Sequence, residues 1–298
     1  MALVTGFLGL GNMGRPMACS VARAGFPLWV YNRTRQKAEA LAHDIAAQVG
    51  DSPAQIADQC DVILTMVSDA SALEQLYFGR DGIMDGLRPA TVCVEMSTVG
   101  PAAVRELGDS VSAGGARLLD APVSGSIALA DAGQLTMMVG GAEEDLDRVR
   151  SVLSAIASLV FHVGPLGAGA TMKLAVNAVV YGLNHALSEG LVLAECAGVD
   201  RETAYHIFEH SAIAAPFVQY RKEAFLKPRC TPVGFSLRLA EKDLELIEEL
   251  AREVHAATPQ LAVNHRSVEA AMDDGRADDD VSAIAEYLRD VARDSCED

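Results

Sequence analysis

The chain has 298 residues, half of them hydrophobic, and its 24 Lys and Arg against 41 Asp and Glu leave a net charge of −17. That length and apolar content allow one large domain or two ordinary ones with packed cores, and they exclude wholesale disorder. So large a negative surplus repels nucleic acid and anionic membrane surfaces, so neither is an expected partner.

The chain opens MALVTGFLGLGNMG, with no basic leader and with glycines too early for a signal peptide. Six scattered cysteines form no CxxC pair, and no Cys/His cluster has zinc spacing. A reducing cytoplasm and the absence of a metal are therefore expected. LVTGFLGL, PLWVYN, DVILTMV, TVCVEMS, RLLDAPV and LTMMVG are short apolar runs that read as buried strands. Segments of helical periodicity lie between them, such as Met13–Ala24, Thr34–Ala46 and Pro101–Ala113. Alternation of this kind predicts a parallel sheet covered on both faces.

Gly9-Leu10-Gly11-Asn12-Met13-Gly14 is a GxGxxG that follows a strand and opens a helix. The first glycine permits the tight turn, the second a close approach to a pyrophosphate, and the third close packing of helix on strand. The tip of the second strand carries Asn32, Arg33 and Thr34, with Lys37 one turn later, where NAD-binding domains usually carry an acid. A guanidinium, a hydroxyl and an ammonium can receive a 2′-phosphate, so NADP is expected over NAD. Further on, Asp120-Ala-Pro-Val-Ser124-Gly125-Ser126 follows a buried strand and can offer N–H groups and a hydroxyl to a carboxylate, although such a turn is often only a turn.

The pattern changes near Gly164. The stretch from Ala168 to Ala197 reads as one helix, with no charged residue between Lys173 and Glu189. Asn177, Asn184, His185 and Glu189 within it favour a buried helix over a membrane span. Lys173 and Asn177, four apart, share one helical face behind a glycine-rich loop. Glu202–His210, Phe217–Phe225, Leu237–Ala257 and Val281–Arg293 also read as helices, with Asp200 and Ser282 near helix starts. The expected domains are therefore 1–165 and 166–298, the second all-helical. The acidic run from Asp273 to Asp298 is expected to be solvated and partly frayed. The histidines show no informative spacing.

Taken in order, FLGLGNMGRPMA, YNRT, EMSTVGP, DAPVSGS, GPLGAGATMKLAVN, FSLRLAEKDLEL and DDDVSAI resemble the 3-hydroxyisobutyrate dehydrogenase, or β-hydroxyacid dehydrogenase, family over nearly the whole chain. The resemblance implies a Rossmann-type doubly wound α/β domain, a long inter-domain helix and an all-α C-terminal domain. It also implies a homodimer or homotetramer and reversible hydride transfer between NAD(P) and a small β-hydroxyacid. By the same resemblance Lys173 is the catalytic lysine, and Asn177, Ser124 and Gly125 touch substrate. Thr98 and Lys242 touch the cofactor near its nicotinamide end. Met66, Val67, Ser68 and Phe235 complete the expected cofactor set, and Ser126 joins the substrate set. Ser126 stands where the family usually has a second glycine, and the added side chain is expected to alter the anion pocket. Imine reductases resemble the N-terminal half but usually lack the lysine. They remain one alternative, and a non-catalytic NADP-binding module is another.

Overall fold

The structure, a computed structural model, describes residues 2–228 and 230–297; Met1, Arg229 and Asp298 lie outside that description. The chain divides into two compact units, Met1–Lys173 and Leu174–Asp298.

The first unit runs β1 (Thr5–Leu8), α1 (Gly14–Arg23), β2 (Leu28–Tyr31), α2 (Arg35–Ile45), β3 (Gln48–Val49), α3 (Pro53–Gln59), β4 (Val62–Thr65), α4 (Ala70–Phe78), α5 (Ile83–Gly86), β5 (Val92–Glu95), α6 (Pro101–Ala113) and β6 (Arg117–Asp120). It continues through β7 (Val123–Ser124), α7 (Ile127–Asp131), β8 (Leu135–Gly140), α8 (Glu143–Ile156) and β9 (Ala157–Gly164). The sheet order is β3-β2-β1-β4-β5-β6-β8-β7, with β9 also paired to β8. Pairing is parallel from β3 to β6, as expected of the apolar runs, and β8 then runs antiparallel to β6 and β7. Residues 125–134, which link β7 to β8, are fewer than the dozen or so that a parallel crossover needs.

Neighbouring residues of each strand point to opposite faces. Phe7, Leu64, Val94 and Leu119 enter one buried cluster, while Leu8, Ile63, Cys93 and Leu118 enter another. Both faces are therefore packed, as in a doubly wound sheet. The register pairs Leu8 with Tyr31 and Thr65, Thr65 with Glu95, and Glu95 with Asp120. The carboxyl ends of five strands thus align along one edge, where ligands bind in folds of this type.

The boundary between the units falls inside α9 (Ala168–Cys196), a helix of 29 residues and ~43 Å. After it come α10 (Arg201–His210), α11 (Pro216–Leu226), α12 (Leu237–Glu253), α13 (Pro259–Ala271), a π-helical turn (Met272–Arg276) and α14 (Ala283–Glu297). Two apolar clusters hold this unit, one around Leu174, Tyr181, Leu244 and Ile284, the other around Leu187, Tyr205 and Phe225. Helical periodicity in the sequence extends to Ala257 and does not mark α13. In the structure the chain leaves α12 at Val254, passes through His255 at φ 56°, and restarts with Pro259 in the first turn of α13.

In the acidic C-terminal run Asp273, Asp274, Asp278 and Asp279 are exposed as expected, and Asp280 is the departure. Asp280 is buried, pairs with Arg221 at 2.7 Å, and accepts hydrogen bonds from the N–H groups of Gly234, Phe235 and Ser282. Val281, Ala283 and Ile284 are buried beside it. Ser282 does not cap a helix with its hydroxyl, which donates to the Ala224 carbonyl instead. Asp200 does cap α10, accepting from Thr203 N. Arg201 and Arg289 each pair with both Glu195 and Glu286 at 2.6–2.7 Å, and this tie holds α14 to α9 and α10. No helix among the described residues is long and apolar enough to cross a membrane.

Candidate active site

The three loop glycines do different work. Gly9 has φ +98°, and a Cβ there would strike the Met66 carbonyl oxygen. A Cβ on Gly14 would strike the Gly9 carbonyl oxygen. A Cβ on Gly11 would meet nothing within 4 Å. The first and third are therefore demanded by the fold, while the second opens onto space that a diphosphate can enter. No side chain caps α1 and no acid lies in its first turn, so its positive end is unneutralised. These features fit a dinucleotide phosphate.

Asn32 pins this loop. Its Oδ1 accepts from Leu10 N at 3.0 Å and its Nδ2 donates to the Thr34 carbonyl at 3.1 Å. Arg33, Thr34 and Lys37 are exposed beside it. Arg35 is taken up by Glu39 and Asp51, whereas neither Arg33 nor Lys37 forms an ion pair among the described residues.

The loops after β4 and β5 are tied together. Met66 N donates to the Leu8 carbonyl, Val67 N to Ser97 Oγ at 2.8 Å, and Ser97 N to Glu95 Oε1 at 2.7 Å. Thr65 Oγ1 donates to the other Glu95 oxygen. Glu95 is fully buried, and burial pushes its carboxyl up to about 7 against the pull of these donors. Ser68 Oγ donates to Asp69, the cap of α4. Thr98, half-buried, follows Ser97 on the loop leaving β5.

Ser124 is half-buried at the end of β7, and Gly125 is exposed with φ +144°. A Cβ on Gly125 would lie 2.7 Å from Leu135 Cδ2. The Ser126 hydroxyl accepts from Leu129 N at 3.3 Å and caps α7. That bond uses the hydroxyl as an acceptor and leaves its proton available to donate.

Two anchors escape the sequence reading. Asp120, buried at the end of β6, accepts from Gly167 N at 2.9 Å and Ala170 N at 2.7 Å. Burial pushes its carboxyl up, and these backbone donors pull it back. It thereby fixes the first turn of α9, three residues before the half-buried Lys173. In the second unit Asp243, buried at 1% exposure, accepts from Asn177 Nδ2 at 2.8 Å and from the Tyr181 hydroxyl at 2.7 Å. Lys242 Nζ lies 2.9 Å from its other oxygen. The Asn177 amide is thus locked, with its NH₂ toward Asp243. Phe235 packs on Tyr181, and its N–H donates to Asp280. The signals were present, as an acid ending a strand and an acid four residues after an apolar Leu-Ala pair, but their partners are 47–66 residues away.

Residues 4–164 match the family model described as the NAD binding domain of 6-phosphogluconate dehydrogenase. Residues 167–288 match the one described as NAD-binding of NADP-dependent 3-hydroxyisobutyrate dehydrogenase. The chain belongs to the 3-hydroxyisobutyrate dehydrogenase family. Glyoxylate/succinic semialdehyde reductase 2 of Arabidopsis thaliana is 31% identical over 284 residues, 95% of this chain and 79% of that protein. The cytokine-like nuclear factor N-PAC of Homo sapiens is 32% identical over 94% of this chain, which spans only half the length of that relative. Among solved structures, 3-hydroxyisobutyrate dehydrogenase from Salmonella typhimurium superposes with TM-score 0.89 at 27% identity, covering 96% of this chain and 99% of its own. The Mycobacterium tuberculosis 3-hydroxyisobutyrate dehydrogenase, solved with L-serine, gives 0.84 at 29%, covering 97% and 100%. As a 3-hydroxyisobutyrate dehydrogenase family member, the chain is an NAD(P)-dependent oxidoreductase acting on CH–OH groups.

Proposed function

We propose that this dehydrogenase prefers NADP(H) and interconverts a small 3-hydroxyacid with its carbonyl partner, such as a 3-hydroxyisobutyrate, 2-hydroxy-3-oxopropionate or succinic semialdehyde type of substrate. Lys173 serves as general acid and base. The observation that carries this reading is the placement of Lys173 and Asn177 one turn apart on a helix whose start is fixed by Asp120 and whose Asn177 amide is fixed by Asp243. Gly11 and the open end of α1 hold the diphosphate, and Arg33, Thr34 and Lys37 receive the 2′-phosphate.

Bound nicotinamide supplies hydride in reduction and takes it in oxidation. In reduction, negative charge grows on the substrate oxygen; the Lys173 ammonium stabilises that charge and donates the proton. In oxidation, neutral Lys173 accepts the hydroxyl proton. Asn177 orients the lysine and the reacting oxygen. Ser124 and Gly125 hold the carboxylate, which sets the distance from carboxylate to carbonyl. The semialdehyde named for the Arabidopsis relative and the L-serine of the mycobacterial structure, a small hydroxy carboxylate, support this substrate class.

A matched pair of substrates tests it: a semialdehyde acid and its neutral analogue lacking the carboxylate. The acid is expected to be strongly preferred in kcat/KM, and Ser124→Ala to narrow the preference. Equal efficiency with the neutral aldehyde, or turnover of cyclic imines alone, would reject the assignment.

A further inference from the structure

The histidines of this chain carry no zinc spacing of the cysteine-rich kind, yet α10 brings two of them and a carboxylate together. His206, Glu209 and His210 form the sequence His-Ile-Phe-Glu-His at the C-terminal end of that helix. One ligand atom from each lies within 4.8 Å of the others. We propose that these three side chains form a Zn²⁺ site on the second unit, separate from the residues assigned to the oxidoreductase reaction.

Five observations support the site. Residues four apart on a helix face the same way, so the two imidazoles reach one point without moving the backbone. Their ring centroids are 4.5 Å apart. His210 Nδ1 lies 2.8 Å from the His206 carbonyl oxygen. That bond places a proton on Nδ1 and leaves the Nε2 lone pair free, as in metal-bound histidines whose other ring nitrogen donates to a carbonyl. Both rings are exposed, so an ion can enter and the side chains can turn to bonding geometry, with Zn–N of ~2.0–2.1 Å. Finally, the last turn of a helix carries partial negative charge, which favours a cation there.

The ligand set selects the ion. Two imidazoles and a carboxylate suit zinc or copper, whereas calcium and magnesium want oxygen alone. Three protein ligands leave the fourth position to water. The opposing charge is Lys222, whose Nζ lies 2.6 Å from Glu209 Oε2. It holds the carboxylate in place but repels an incoming cation, so it limits affinity.

The test is isothermal titration of the full-length, untagged protein with ZnCl₂, read together with thermal unfolding. One equivalent should bind and raise Tm, because an ion held only by the folded state stabilises it by mass action. His206→Ala and His210→Ala should each weaken binding at least ~10-fold, a loss of ~1.4 kcal/mol. Lys222→Gln should strengthen it. Unmetallated turnover should be unchanged in the histidine variants, which also shows that they fold. Absence of a one-equivalent isotherm, or equal affinity in the His206→Ala/His210→Ala double variant, would overturn the proposal.

Discussion

Glu95 combines two opposing influences. Desolvation favours its neutral form, while donors from Ser97 N and Thr65 Oγ1 favour the carboxylate, and desolvation wins. Its carboxyl moves from 4.5 to about 7, so below 4.5 it is neutral in both folded and unfolded chains and costs nothing. Between those values the unfolded chain releases its proton first, and stability falls as pH rises. Above about 7 the loss is complete, on the order of 3 kcal/mol. Glu95→Gln should therefore be more stable relative to the parent at pH 8 than at pH 5, measured by urea unfolding. An equal difference at both pH values would contradict the burial argument. Arg33 is subject to a different kind of test. It is exposed and makes no ion pair among the described residues, whereas its neighbour Arg35 is committed to Glu39 and Asp51. Arg33→Asp should lower kcat/KM for NADP(H) far more than for NAD(H), because an acid repels the 2′-phosphate and suits a free ribose. Equal or better efficiency with NAD(H) in the parent enzyme would end the proposed preference.

Among the elements, the glycine loop makes a prediction that separates folding from binding. Gly14→Ala puts a methyl into the Gly9 carbonyl oxygen and should lower Tm by several degrees. Gly11→Ala meets open space and should leave Tm almost unchanged while raising the cofactor KM. Similar Tm losses in both variants would show that the second glycine is structural. The strands β1, β2, β4, β5, β6 and β8, with α1, α2, α6 and α9, were legible because apolar period and turn residues are local signals. β9 was not: its Leu159 and Phe161 stand exposed, so it lacks the buried pattern of the central strands. α13 was missed although Thr258-Pro259 is a helix-start signal, because its apolar residues form no clear stripe. Asp120, Asp243 and Asp280 act through partners on distant elements, and one sequence holds no record of which distant groups meet. The same reason hid the buried partners of Asp280 within an otherwise exposed acidic run.

For the molecule as a whole, the net charge of −17 disfavours anionic ligands at long range. A Debye length of ~8 Å at physiological salt leaves the fixed groups of the site in control. The boundary between the units falls within α9, which carries Lys173 in the first and Asn177 in the second. If Lys173 acts only on the reacting oxygen, its removal must spare cofactor binding. The decisive measurement is Lys173→Ala, with NADPH affinity by fluorescence titration and kcat on the best semialdehyde acid determined on the same preparation. A proton-transfer role for Lys173 predicts NADPH affinity within a few-fold of the parent and a kcat lower by ~10²–10⁴. A variant that binds NADPH normally and keeps near-parental kcat would contradict it.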